Sequence, residues 1–143
     1  MAKEAQIIVI DDEETDIFFF ESAMHELDLK FSLKVFDDAE KAFKYLNDYK
    51  TAIISDQKDS VEAIDLIFVD INMPKINGFE LLKHLKADTV LCVLPIIILS
   101  GSDNPHDVEK SYSLGANGYI TKPVRVQDYA DSLHKLIDFW LSV

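Results

Sequence analysis

The sequence predicts an α/β fold: a doubly wound, five-stranded parallel sheet with helices on both faces. Three observations predict it. Strand-length apolar runs alternate with helix-length segments along the whole of the 143 residues. The runs 65–70 and 95–99 are apolar almost throughout, as strands covered on both faces are. Strands joined by helix-length connections run parallel, through right-handed crossovers.

The elements follow in order. Gln6 to Ile10 is the first strand, an apolar run of the buried parallel type. A helix is expected from Glu14 to about Leu29, with Glu13, Glu14 and Asp16 at its positive end. Phe31 to Phe36 alternates as a strand. Asp37-Asp38 is suited to cap a helix from about Ala39 to Tyr49 with Ala42, Phe43 and Leu46 inward. Residues 50–63 are an irregular connection: a helical turn at 52–54, an extension of the preceding helix, or a loop. Asp65 to Asp70 is the third strand. Asn77-Gly78 opens a helix over about 78–87, and Pro95 to Leu99 is the fourth strand. Asn104-Pro105 reads as a cap and first-turn proline of a helix that closes at Gly115. Asn117 to Ile120 is a short fifth strand. The last helix runs from about Val126 to Leu141, with Val126, Ala130, Leu133, Ile137 and Trp140 as its core stripe. A second stripe, Tyr129, Leu136, Phe139 and Val143, is either a broadening of the core face or a contact for a second copy or a partner.

A chain of this length is most simply one domain and buries roughly two-thirds of its unfolded surface. Apolar residues make up 48%, and no apolar run approaches a membrane span of roughly 20 residues. No basic start with a long apolar segment suggests a signal peptide. Cys92, the single cysteine, is read as a small core residue. Together these suit a reducing cytoplasm. The formal net charge is −12 with one arginine, Arg125, so nucleic-acid binding through phosphate neutralisation is not expected. The histidines 25, 84, 106 and 134 lie on separate helices without ligand spacing and are read as surface residues.

Reactive polar residues stand where the apolar runs end. In open parallel sheets, ligands bind outside the carboxyl ends of the strands. Asp11 and Asp12 follow the first strand; either caps the next helix, or the pair offers hard oxygen ligands to Mg²⁺, and the two roles are compatible. Asp70 ends the third strand, as a turn residue or as a reactive carboxylate. Ser100 ends the fourth beside Gly101; with no Gly-x-Ser-x-Gly elbow, a phosphate-binding hydroxyl suits it better than a nucleophile. Lys122-Pro123 follows the fifth strand, with a cis peptide as one way to fix that turn. Tyr119 is expected to pack on one face with its hydroxyl near water.

Together, Asp11-Asp12, Asp70 with Met73-Pro74 and Gly78, Ser100-Gly101, and Tyr119 with Lys122-Pro123 resemble the receiver domain of two-component response regulators, over nearly the whole chain. The resemblance implies a CheY-like (flavodoxin-like) strand order 2-1-3-4-5. It implies that Asp70 accepts a phosphoryl group from a histidine kinase. Asp12, Asp70 and the backbone carbonyl of Asn72 would bind Mg²⁺, with Asp11 acting largely through water. Ser100 and Lys122 would bind the phosphoryl group, and Tyr119 would be the switch aromatic that turns inward when Ser100 moves. Residues 111–123 and 138–141, with the long connection before the third strand, are similar to small stand-alone regulators associated with bacterial phytochrome kinases. The expected partners are a sensor histidine kinase, of phytochrome type in that subgroup, or a phosphotransfer protein, together with a downstream protein target and a second copy of the chain. One receiver domain over 1–143, without an output domain, is expected.

The chemistry is self-consistent. Clustered carboxylates repel, a divalent cation relieves them, and Asp70 stays ionised as a nucleophile. Charge on the peripheral oxygens of a loose transition state is met by Mg²⁺, Lys122 and Ser100. The result is a switch rather than an enzyme turning over a separate substrate. An aspartate-nucleophile phosphatase of the haloacid-dehalogenase type would want an acid where Asn72 stands, and room for a cap domain. A flavodoxin-like cofactor site would not place Asp11-Asp12-Glu13-Glu14 where phosphate binds. A pseudo-receiver that binds partners without taking phosphate is the remaining alternative.

Overall fold

The computed structural model describes residues 4–55, 57–73 and 76–142. Pro74 and Val143, placed by the sequence in a turn and on a helical stripe, lie outside them. The elements are β1 (Ala5–Ile10), α1 (Glu14–His25), β2 (Phe31–Phe36), α2 (Ala39–Ile54), β3 (Leu66–Asp70), α3 (Gly78–Ala87), β4 (Ile96–Ser100), α4 (Pro105–Ser113), β5 (Gly118–Thr121) and α5 (Val126–Leu141). The five strands form one parallel sheet in the order β2-β1-β3-β4-β5, the order the resemblance implies.

Period-two alternation divides the core. Ile7 and Val9 of β1, Leu66 and Phe68 of β3, and Ile97 and Leu99 of β4 pack with Phe20 and Met24 of α1 and Ala130, Leu133 and Ile137 of α5. Their neighbours Ile8, Ile10, Ile67, Val69, Ile96 and Ile98 face the other way, onto Ala42 and Leu46 of α2 and Leu81, Leu82 and Leu85 of α3. Both central strands, β3 and β4, are buried at every residue, which is why neither shows alternation in sequence.

Several boundaries differ from the sequence reading. Helix α1 stops at His25, not near Leu29, because the N–H groups of Glu26 and Leu27 turn back to the carbonyls of Ala23 and Met24 and tighten the last turn. Leu27 and Leu29 then fold onto the core as linker residues. Within 50–63, the extension of α2 prevails, to Ile54, followed by a single 3₁₀ turn at Lys58–Ser60. Lys50 on that extension reaches Asp88 at the end of α3, Nζ to Oδ2 2.7 Å. This bond, with N–H donation from Leu91 and Val90, holds the Asp88 carboxyl down at about 2. Cys92 is half-buried on a 3₁₀ turn and not in the core; its neighbours Leu91 and Leu94 are the core residues. The four histidines are exposed, as expected. No cis peptide occurs among the described residues, so the turn at Lys122-Pro123 is trans.

One glycine ties the fold to the carboxyl edge of β3. Asn77 caps α3, its side chain accepting from the Glu80 N–H, while the Gly78 N–H donates to the Ile71 carbonyl at 3.1 Å. A Cβ at Gly78 would stand 2.6 Å from Ile71 Cα and collide with the Asp70 carbonyl oxygen. Gly78 thus does more than open a helix: it lets α3 close against the strand end that carries Asp70. An alanine in a helix gains up to about 1 kcal/mol over glycine, but overpacking backbone costs about 1–3 kcal/mol. Gly78→Ala is therefore expected to lower stability in urea denaturation and to shift the amide resonances of Asp70 and Ile71; unchanged stability would show that the loop yields.

Candidate functional site

The site lies at the carboxyl ends of β1, β3, β4 and β5, where the parallel topology gathers strand-end residues from distant parts of the chain. Asp11 and Asp70 are buried, 2% and 3% exposed, and Asp12 is half-buried. One ligand atom from each of these carboxylates lies within 4.8 Å of the others. Their places are held by short local bonds. Asp11 Oδ1 accepts from the Glu13 N–H at 2.9 Å, and Asp70 Oδ1 accepts from the Asn72 N–H at 3.3 Å. Neither Asp11 nor Asp12 caps α1: the capping position is Glu13, whose side chain makes no capping bond. That leaves both acids for the pocket.

Lys122 enters from the β5–α5 loop, its N–H donating to the Ser100 carbonyl. Its Nζ is 2.9 Å from Asp11 Oδ2, 2.8 Å from Asp16 Oδ2 and 3.5 Å from Asp70 Oδ1. Burial disfavours this ammonium, but the bonds to Asp16 and Asp11 and the charges of Asp11 and Asp70 outweigh it and hold its pKa above the ordinary lysine range. Burial pushes the Asp70 carboxyl up from 3.8 to about 6; the Asp11 charge adds to this, and Lys122 and the Asn72 N–H oppose it.

These residues fit a hard divalent cation. Asp12 Oδ1 is a buried oxygen without a hydrogen-bond partner among the described residues. Such an atom is costly unless something supplies the missing charge. Three carboxylate oxygens within reach of one ion, with water available at the half-buried Asp12, are ligands of the type Mg²⁺ or Mn²⁺ takes.

Ser100 is fully buried at the end of β4, its Oγ accepting from the Ser102 N–H at 3.0 Å. The Ser102 carbonyl in turn accepts from the Tyr119 hydroxyl at 2.6 Å. Tyr119 is half-buried, and its hydroxyl is tied to the β4–α4 loop. A continuous bonded path thus joins the strand end to β5.

The stripe on α5 divides. Tyr129 is 3% exposed and packs edge-on against Phe20, ring centroids 5.8 Å apart. It belongs to the core between α1 and α5 and is withdrawn as an interface residue. Leu136 is half-buried and Phe139 is 61% exposed. With Trp140, Tyr112 and Tyr119 they line a shallow groove of about 650 Å³. One residue of the site escaped the sequence reading: Asp16 passed as one of several acids suited to a helix dipole. Gly78 belongs to the motif that carries the resemblance, but its close approach to the Asp70 backbone shows only in the structure.

A family model described as the response regulator receiver domain matches residues 7–134, and the chain belongs to that family. The response regulator Rcp1 of Synechocystis is 36% identical over 77 residues, 54% of this chain and 52% of that protein. The two-component response regulator ORR1 of rice is 32% identical over 92 residues, 64% of this chain and 37% of that protein. These alignments span only about a third to a half of the curated relatives' length. Among solved structures, the phosphorylated cyanobacterial phytochrome response regulator RcpA matches with a TM-score of 0.80 at 28% identity, covering 98% of this chain and 96% of that one. The Mn²⁺-bound form of Rcp1 matches with a TM-score of 0.77 at 25% identity, covering 97% and 96%. Phytochrome-associated regulators are thus among its structural neighbours. No helix among the described residues is long and apolar enough to cross a membrane.

The raised pKa of Asp70 has a measurable sign. The metal-free folded protein holds this proton more tightly than the unfolded chain does, so the group contributes stability at low pH that is lost as pH rises from 3.8 to about 6. Asp70→Asn is expected to stabilise the metal-free protein at pH 7 by on the order of 3 kcal/mol, seen as a higher melting temperature, and to raise it far less near pH 4. The same substitution should reduce the gain that Mg²⁺ gives the wild type. Melting curves at both pH values, with EDTA and with Mg²⁺, check this.

Proposed function

We propose that this chain is a phosphorelay switch that accepts a phosphoryl group on Asp70 from a phosphohistidine donor in a Mg²⁺-dependent reaction. The observation that carries the reading is the company Asp70 keeps: a buried carboxylate inside a cation-binding cluster, with Lys122 and Ser100 at the same strand edge. Asp70 is the nucleophile. Its Oδ forms the new P–O bond as the P–N bond to the donor imidazole breaks, and the imidazole leaves with the electron pair. Asp12, Asp70, the Asn72 carbonyl and, through water, Asp11 are the residues that would hold Mg²⁺, which supplies charge neutralisation at the transferring oxygens. The Lys122 ammonium and the Ser100 hydroxyl oppose the same charge from the protein side. Hydrolysis of the aspartyl phosphate resets the switch, and no separate substrate is turned over.

Incubation with acetyl phosphate and Mg²⁺ is expected to add one phosphoryl group to the intact mass of the wild type and none to Asp70→Asn. An unmodified wild type would favour the pseudo-receiver, and an undiminished adduct on Asp70→Asn would place the chemistry elsewhere.

The donor is a sensor histidine kinase or a phosphotransfer protein; likeness to phytochrome response regulators supports a kinase of that type. On this reading the new oxygens draw Ser100, the bonded path through Ser102 moves, and Tyr119 rearranges beneath the α4–β5–α5 surface. Leu136, Phe139 and Trp140 give that surface the apolar character of a contact for a second copy of the chain or for a downstream protein. Sedimentation is expected to show a dimer population that grows with beryllofluoride and Mg²⁺ and is lost in Phe139→Glu. A monomer under both conditions would leave the groove to a different partner.

A further inference from the structure

Lys122 is placed by two short bonds, and neither goes to Asp70. Its Nζ lies 2.9 Å from Asp11 Oδ2 and 2.8 Å from Asp16 Oδ2, inside hydrogen-bond range, but 3.5 Å from Asp70 Oδ1, outside it. The ammonium therefore sits on the α1 side of the pocket. Asp16 stands on the first turn of α1. Unlike Asp11, it is not sealed in the core: its side chain is 38% exposed against 2% for Asp11.

This difference decides which bond yields. An ammonium has three donors, and oxygens added beyond Asp70 would demand at least one of them. Asp11 cannot give up its cation cheaply, because a buried carboxylate without a partner is strongly unfavourable. Asp16 can, because water reaches it. We propose that Asp16 is a positioning residue: it parks Lys122 on the α1 side of the pocket and, by competing for that ammonium, limits how strongly Lys122 stabilises a phosphoryl group on Asp70. The inference rests on Asp70 being the phosphoacceptor.

The competition has a definite sign. Neutralising Asp16 weakens the resting bond and leaves the phosphoryl-bound arrangement untouched, so it favours the bound state. Had Asp16 served to aim Lys122 at Asp70, the same change would disfavour it. Asp16→Asn is therefore expected to bind beryllofluoride, in the presence of Mg²⁺, about three- to tenfold more tightly than the wild type, the effect of one charge-assisted but partly solvated bond. The gain should vanish in a Lys122→Met background, closing a double-mutant cycle. Asp16→Glu, which keeps the charge, should return the affinity toward the wild-type value. In the metal-free protein, acylation of Lys122 by an amine reagent, read by peptide mass, should be faster in Asp16→Asn than in the wild type.

Unchanged or weaker beryllofluoride binding by Asp16→Asn, an equal gain without Lys122, or unaltered acylation would overturn the role of Asp16. Failure of the wild type itself to bind beryllofluoride would overturn the reading of Asp70, and the competition with it. Calorimetry on the four variants separates the two failures.

Discussion

Burying Asp11 and Asp70 within reach of Asp12 is the constraint that organises the carboxyl edge of the sheet. Carboxylates out of water are expensive, and several together are more so. Without a metal, one ammonium among the described residues, that of Lys122, serves Asp11 and Asp16 and stands near Asp70. The balance is incomplete: the Asp70 carboxyl is pushed up to about 6, and Asp12 Oδ1 has no partner among the described residues. That shortfall is itself informative. A site satisfied by its own side chains would gain little from a cation. One left under-neutralised changes its energy whenever a cation arrives, and a switch needs this sensitivity.

The rest of the fold makes this edge precise enough to matter. Parallel pairing of β1, β3, β4 and β5 brings residues 11, 70, 100 and 122 to one edge without any of them being close in sequence. The missing side chain at Gly78 lets α3 approach the Asp70 backbone, so this carboxylate is held from behind as well as from the sides. Ser100 is engaged on both its sides. Its carbonyl accepts from the Lys122 N–H, and its hydroxyl accepts from Ser102, whose carbonyl takes the Tyr119 hydroxyl. On the proposed function, a small displacement at Ser100 cannot be absorbed locally, because every neighbour is hydrogen-bonded to the next. On that reading the coupling would run through these bonds to β5.

Most of the fold was legible in the sequence, because apolar strands covered on both faces and capped helices leave patterns that neighbouring residues reinforce. The limits of α3 and α5 agree with expectation for that reason. What was not legible depended on distance across the fold. Where α1 ends is decided by a tightened last turn that lets Leu27 and Leu29 reach the core, and nothing local marks it. Asp11, Asp12, Asp70, Ser100 and Lys122 could be collected from strand ends, since the topology of a parallel sheet predicts where they meet. Asp16 could not. It follows no strand, and its meeting with Lys122, 106 residues later, exists only in three dimensions.

The division of α5 shows how far helical spacing can carry an inference. Tyr129, Leu136 and Phe139 were grouped because intervals of seven and three keep residues on one side of a helix. At about 100° per residue, though, each such step drifts by tens of degrees. Taking the core direction from Ala130, Leu133 and Ile137, Tyr129 lies about 70° off it, Leu136 about 90° and Phe139 about 150°. Burial follows that order: Tyr129 is in the core, Leu136 is half-buried, and Phe139 is 61% exposed. The large ring at position 129 therefore fills the space against Phe20 that a smaller residue would leave between α1 and α5. This packing fixes α5 on the sheet and leaves the exposed end of the stripe, Phe139 beside Trp140, as the part available to another molecule.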